Sequence, residues 1–167
     1  PPIVLTGPAG KGLDLQIWKE PVEGHRYVLS ADVARGDAED FSAFHVFDIN
    51  KSEVVAEYLG KIPPDRFGEW LIEVGKKYNM ALIVAEKNTV GIATAIKLRD
   101  SGYPNLYYDE DLANRMLTMT PDEKKECLPG FTITPKNREK ILENLEQVIR
   151  NNHLRLYSTR FVSEMES

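Results

Sequence analysis

Two apolar runs in this chain each end in a carboxylate. The first is Tyr27-Val28-Leu29-Ser30-Ala31-Asp32, which continues through Val33-Ala34-Arg35-Gly36. The second is Ala81-Leu82-Ile83-Val84-Ala85-Glu86, followed by Lys87-Asn88. Both read as strands. An acid inside a buried strand is costly unless it is paired or holds a metal. Neighbouring strands lie about 4.8 Å apart, so if these two pair, Asp32 and Glu86 converge on one or two divalent ions. Two-metal sites hold ions roughly 3.5–4 Å apart and clamp the attacking and leaving oxygens of a phosphoryl transfer. Mg²⁺ prefers a few carboxylates completed by waters. Carboxylates at strand ends are also common as plain solvated groups, so the pair by itself leaves both readings open.

The rest of the pattern places these strands in a mixed α/β layout. Residues 41–49 and 54–59 read as two further strands, with Asn50-Lys51 as a tight turn between them. Three consecutive strands with short links predict an antiparallel meander. Pro63-Pro64-Asp65 then opens a helix, and Phe67, Trp70, Leu71, Val74 and Tyr78 form one apolar stripe along it. After the strand ending at Glu86, a helix is expected over 91–99, with Ile92, Ala95, Ile96 and Leu98 apolar, then a strand over 105–108. Residues 109–130 read as polar and irregular, broken by Pro121 and Pro129-Gly130. A short extended piece over 131–134 leads into the clearest helix, 135–150, with Ile141, Leu145, Val148 and Ile149 as its buried face. A strand over 153–157 and a last helix from about Thr159 complete the order. The expectation is an antiparallel meander on a partly parallel sheet, flanked by helices. Residues 1–24, rich in Pro and Gly, read as an N-terminal linker or arm with one short strand over 15–18, and residues 25–167 as the folded domain.

Composition narrows the function classes. At 167 residues, 42% hydrophobic and 28% charged, the chain has the make-up of one soluble domain with a real core. No stretch approaches the roughly 18 apolar residues of a membrane span. The start, Pro1-Pro2-Ile3-Val4, has no basic or long apolar region and no initiator Met, so a fragment or processed chain without a signal peptide is expected. Cys127 is the one cysteine, which excludes an internal disulfide and suggests a reducing compartment. A net charge of −5 argues against a generally basic nucleic-acid binder, though it permits a local basic groove. Gly7-Pro8-Ala9-Gly10-Lys11-Gly12 fails as a phosphate loop, because Leu5 stands where the first glycine is needed and Gly12 where a hydroxyl is needed.

Other polar groups carry weaker signals. Asp37 fits a turn. Asp40 is either part of the same turn or an accessory ligand, carried back beside Asp32 by the next strand. Lys136, Arg138 and Lys140 open the long helix beside Thr132 and Thr134. Cations are unfavourable at a helix N-terminus, so an anion such as a DNA backbone is one reading and a solvated face paired with Glu139 and Glu143 the other. With Lys87, beside Glu86, they make up the candidate DNA contacts. His25, His45 and His153 lack zinc spacing, and His45, between Phe44 and Val46, reads as structural. With one cysteine and no Gly-x-Ser-x-Gly, a covalent nucleophile has little support, and Trp18 and Trp70 read as core.

Taken together, these segments resemble the nuclease domain of the large terminase subunit of tailed bacteriophages, a member of the ribonuclease H-like superfamily. The matching pieces are residues 27–36, Asp40-Phe41-Ser42-Ala43, Val84-Ala85-Glu86-Lys87-Asn88 with Gly91, Asn105-Leu106-Tyr107-Tyr108, Phe131-Thr132-Ile133-Thr134-Pro135-Lys136, Leu154-Arg155-Leu156-Tyr157-Ser158 and Phe161-Val162-Ser163-Glu164. The resemblance spans about residues 15–167. It implies a ribonuclease H-like fold and a metal-dependent endonuclease that cuts concatemeric double-stranded viral DNA during genome packaging, using two Mg²⁺ or Mn²⁺ ions. Asp32 matches the family's first catalytic acid, Glu86 the second, and Asp40 an additional acid after the first strand. The implied partners are DNA, a terminase ATPase domain, the small terminase subunit and the portal, in the host cytoplasm. Two departures stand out. The family's third acid follows the segment matching 161–164, where this chain ends, so that ligand is absent or is replaced by Glu164 or Glu166. Asn137 stands where the family commonly has a small hydroxyl residue.

Two other classes compete. A non-catalytic DNA-binding or docking module would bind DNA without cutting it. An actin-like or sugar-kinase-like ATPase needs Gly-rich phosphate loops, and Asp32-Val33-Ala34-Arg35-Gly36 is a poor one.

Overall fold

Alternation of apolar and polar residues along three successive runs builds the centre of the sheet. A computed structural model describes residues 3–5, 15–34 and 41–132. Short strands β1 (Ile3–Leu5) and β2 (Leu15–Ile17) precede the meander of β3 (Tyr27–Asp32), β4 (Ser42–Asp48) and β5 (Glu53–Gly60). Helix α1 (Pro64–Lys77) then carries the chain to β6 (Leu82–Ala85), and α2 (Ile92–Asp100) follows. The sheet order is β1-β2-β5-β4-β3-β6. All neighbours are antiparallel except β3 and β6, which run parallel. Beyond β6 the sheet continues through parallel bridges, Ile83 to Leu106 and Glu86 to Phe131, with Tyr108 bridged to Gly130. This is a ribonuclease H-like mixed sheet, as expected.

One face of the sheet holds the core. Leu29 and Ala31, Phe44 and Val46, Ala56 and Tyr58, and Ile83 and Ala85 are buried on it by strand alternation. The stripe of α1 covers them: Phe67, Trp70, Leu71 and Val74 are buried, and Tyr78 just past its end joins them. Phe44 stacks on Tyr58 at 5.3 Å, and Trp70 meets both rings edge-on. Pro64 opens α1, where its missing N–H costs nothing, and Lys76 and Lys77 sit at the negative end of the helix dipole. Helix α2 packs on α1, with the Thr94 hydroxyl donating to the Pro64 carbonyl at 2.6 Å.

Several expectations change. Part of the 1–24 arm joins the sheet as two strands rather than one, and Leu15 and Ile17 are core residues. The expected strand over 105–108 reduces to bridges at Leu106 and Tyr108. The irregular 109–130 region contains two short helices, α3 (Glu110–Met116) and α4 (Pro121–Lys124). Neither buries a residue, so neither carries an apolar stripe to read. On α2, Ile92 and Ile96 are exposed, while Thr94, Ala95 and Leu98 face inward. The expected elements after residue 132 lie outside the described residues. Among the described residues, no helix is long and apolar enough to cross a membrane.

Candidate metal centre

The register of β3 and β6 brings the two carboxylates together. Ala31 pairs with Ala85 in parallel, and the Glu86 N–H donates to the Ala31 carbonyl at 3.1 Å. Asp32 and Glu86 are the next residue on each strand. Since Ala31 and Ala85 point into the core, both acids project from the opposite face. They line one open cleft of about 430 Å³ with Ser30, Phe41, Ala43, His45, Leu59 and Phe131. Asp32 is exposed and Glu86 half-buried. The premise of an acid sealed inside a strand therefore does not apply to Asp32, which opens onto the cleft at the strand's last position.

Both acids sit on stiffened backbone. Just past Asp32, the Ala34 N–H donates to the hydroxyl of fully buried Ser42 at 2.8 Å. On the other strand, Phe131 donates to the Ala85 carbonyl and accepts from the Lys87 N–H, both at 2.9 Å. Glu86 is thus held between β3 on one side and Phe131 on the other. Gly130 makes that approach possible: its φ is +121°, and a Cβ there would stand 2.5 Å from the Ala85 carbonyl oxygen. Gly91 meets the Glu86 carbonyl so closely that a side chain would collide with it.

Lys87, a candidate DNA contact, has partners within the chain. Its ammonium pairs with Asp109 at 2.9 Å and reaches the Leu128 carbonyl at 3.5 Å. Asp109 also accepts from the backbone N–H and hydroxyl of Thr132, at 3.1 and 3.3 Å. The other expected site residues, Asp40, Lys136, Arg138 and Lys140, lie outside the described residues, as do Asp37, His153, Glu164 and Glu166. Sequence reasoning passed over Ser42, Asp109 and the cleft position of His45. Only the strand register reveals the last, by setting His45 opposite Ser30.

The donor set suits a hard divalent ion. Two carboxylates on adjacent strands repel each other, and a cation between them relieves that repulsion. Oxygen ligands open to solvent on one side match the water-rich shell of Mg²⁺. Among the described residues, no group of three His, Cys, Asp or Glu side chains is gathered to hold a metal ion.

Solved structures share this arrangement of strands and helices. The fold is that of a large terminase nuclease. The nuclease of thermophilic phage G20c superposes with a TM-score of 0.66 at 15% identity, covering 90% of this chain and 69% of that one. Its magnesium-bound form gives 0.67 at 15% identity, over 90% and 68% of the two chains, and its zinc-bound form 0.67 at 15%, over 92% and 76%. The nuclease domain of Thermus phage P74-26 gives 0.59 at 14% identity, over 90% and 65%. No protein-family model and no curated protein sequence matches the chain.

Proposed function

We propose that this chain is a metal-dependent endonuclease that hydrolyses double-stranded DNA, working as the cutting domain of a viral packaging terminase. The observation that carries this reading is the parallel register of β3 and β6, which sets Asp32 and Glu86 side by side on the rim of an open cleft. The fold shared with phage terminase nucleases, one of them solved with bound magnesium, supports it.

In this reading Asp32 and Glu86 hold Mg²⁺ or Mn²⁺, with Asp40 as an additional ligand. The bound ions supply Lewis acidity toward the scissile phosphate and the attacking water. The chain's own part is to hold the two acids on rigid backbone, through Ser42 on one side and Phe131 on the other, so that little reorganisation accompanies the reaction. Lys136, Arg138 and Lys140 contact phosphates, which gives affinity without sequence readout, while Lys87 is a reserve contact held by Asp109. Charge on the DNA-facing side then comes from a local basic set, consistent with a net charge of −5 overall.

The test is nicking of supercoiled plasmid with Mn²⁺ or Mg²⁺. The unsubstituted chain should cut, and Asp32→Ala and Glu86→Ala should each lose activity by about a hundredfold or more. A second reading, a DNA-binding module that does not cut, is favoured by one observation: only two acids line the cleft among the described residues. DNA binding without metal-dependent cutting would select it.

A further inference from the structure

The cleft that holds the two acids also has an aromatic ring in its wall that the fold leaves uncovered. Phe41 directly precedes β4, and strand alternation sets it on the face of Ala43 and His45, away from buried Ser42 and Phe44. It is 42% exposed, and among the described residues it is the exposed large apolar side chain that lines this cleft. It does not stand there alone. Half-buried Leu59 and Phe131 line the same cleft. The sheet register explains the grouping. The pairs Asp32–Ala43 and Ala43–Leu59, with the bridge from Glu86 to Phe131, set Phe131, Glu86, Asp32, Ala43 and Leu59 in one row across the sheet. The acids thus lie between apolar shoulders, and Ala43 adds only a methyl beside Asp32. One step past the Ser42–Gly60 pair, the next row sets Phe41 opposite Lys61, whose ammonium lies 5.0 Å from the ring centroid. Hydrated cations need oxygen ligands and water rather than apolar shoulders. The shoulders and the ring fit a ligand that carries flat apolar faces as well as phosphates.

We propose that Phe41 is a stacking contact for a nucleobase of a DNA strand crossing this cleft, with Lys61 turning to the adjoining phosphate; the inference rests on the nuclease reading above for the identity of the ligand as DNA. An exposed cation–π contact is weaker than the stacking of a base on an aromatic ring, so an incoming base displaces the ammonium from the ring. Every base has a π-face, so the contact adds affinity without reading sequence. Within a duplex the base faces are covered by their neighbours. The contact therefore favours a strand that is single or unstacked at the cleft.

The experiment is fluorescence anisotropy of a labelled oligonucleotide, single-stranded and as a duplex, with the full chain in Ca²⁺ instead of Mn²⁺, so that binding is read apart from cutting. Phe41→Ala should weaken single-strand binding by about five- to a hundredfold, affect the duplex less, and leave the salt slope unchanged. Its Tm should stay close to that of the unsubstituted chain, because the ring it removes is exposed. Phe41→Trp should keep the affinity, and its added fluorescence should be quenched by the single strand. Lys61→Gln should instead lower the salt slope by about one. Unchanged single-strand affinity in Phe41→Ala, an equal loss on the duplex, or a loss matched by a fall in Tm would each overturn the proposal. An unaltered slope in Lys61→Gln would overturn the part assigned to Lys61. Plasmid nicking tests the nuclease reading separately. A chain that binds the oligonucleotide through Phe41 and never cuts would overturn that reading and uphold this contact, whereas a chain that cuts while Phe41→Ala binds normally would overturn only the contact.

Discussion

Single residues at the cleft show where the chain spends conformational strain. Gly130 is required twice over. Its φ of +121° disfavours any side chain, and a Cβ would press on the Ala85 carbonyl at the bond that holds Phe131 against β6. Gly102 separates the two causes, since its φ is +76° but nothing lies within 4 Å of a Cβ. Gly130→Ala should therefore destabilise by about 1–3 kcal/mol in a urea melt. Gly102→Ala should cost less, and only the first should weaken Mn²⁺ binding, because only it disturbs the backbone of Glu86. Equal losses in the two variants would mean that the close approach contributes nothing. Sequence alone marked the acids at 32 and 86 but not these supports. A glycine before an apolar residue is unremarkable until the strand it approaches is known, and the place of His45 in the cleft wall follows from the register of β3 and β4.

Elements were legible in proportion to their periodicity. The meander and α1 follow the pattern closely because each buries one regular face. Helices α3 and α4 escape the pattern because they bury nothing, and Asp109 directly precedes α3. Its side chain ties two pieces together: the Lys87 ammonium and the Thr132 backbone and hydroxyl. Asp109→Asn removes the charge that neutralises Lys87. In fluorescence anisotropy it should bind DNA more tightly, with a steeper salt dependence by about one unit of slope. An unchanged slope would mean that Lys87 stays out of the DNA path. A second element, the segment after α2, is fastened by Tyr103, whose hydroxyl donates to the Ala81 carbonyl at 2.5 Å just before β6. Burial pushes the Tyr103 phenol up to about 12 from 10.0. The folded state holds this proton more tightly than the unfolded chain does, so the stabilisation is complete below pH 10 and is lost between 10 and about 12. Tyr78, donating to the Lys19 carbonyl, is raised for the same reason. Alkaline titration followed by circular dichroism should show unfolding in that window, together with tyrosinate absorbance, and Tyr103→Phe should make the decline shallower.

For the molecule as a whole, the site lies where the two halves of the topology meet. The antiparallel meander ends one acid on β3, and the parallel crossover through α1 returns the other on β6. Residue types announced the two acids, but their adjacency follows from a pairing between segments about fifty residues apart, which no local pattern encodes. In the proposed reading Asp32 and Glu86 share a bound cation, which would offset repulsion between their carboxylates and link metal binding to folding. Mn²⁺ at a hundred times its dissociation constant should stabilise the chain by about 2.7 kcal/mol, or about 5–10 °C in Tm for a domain of this size. Asp32→Asn should melt at the same temperature as the unsubstituted chain or higher without metal, and should lose most of the Mn²⁺-induced rise. Differential scanning calorimetry with and without Mn²⁺ reads both effects in one comparison. A full metal response in Asp32→Asn would place the ion elsewhere. A lower Tm without metal would mean that Asp32 serves the fold through a contact rather than straining it, and the paired acids would then be a structural feature of the sheet instead of a site held ready for its cation.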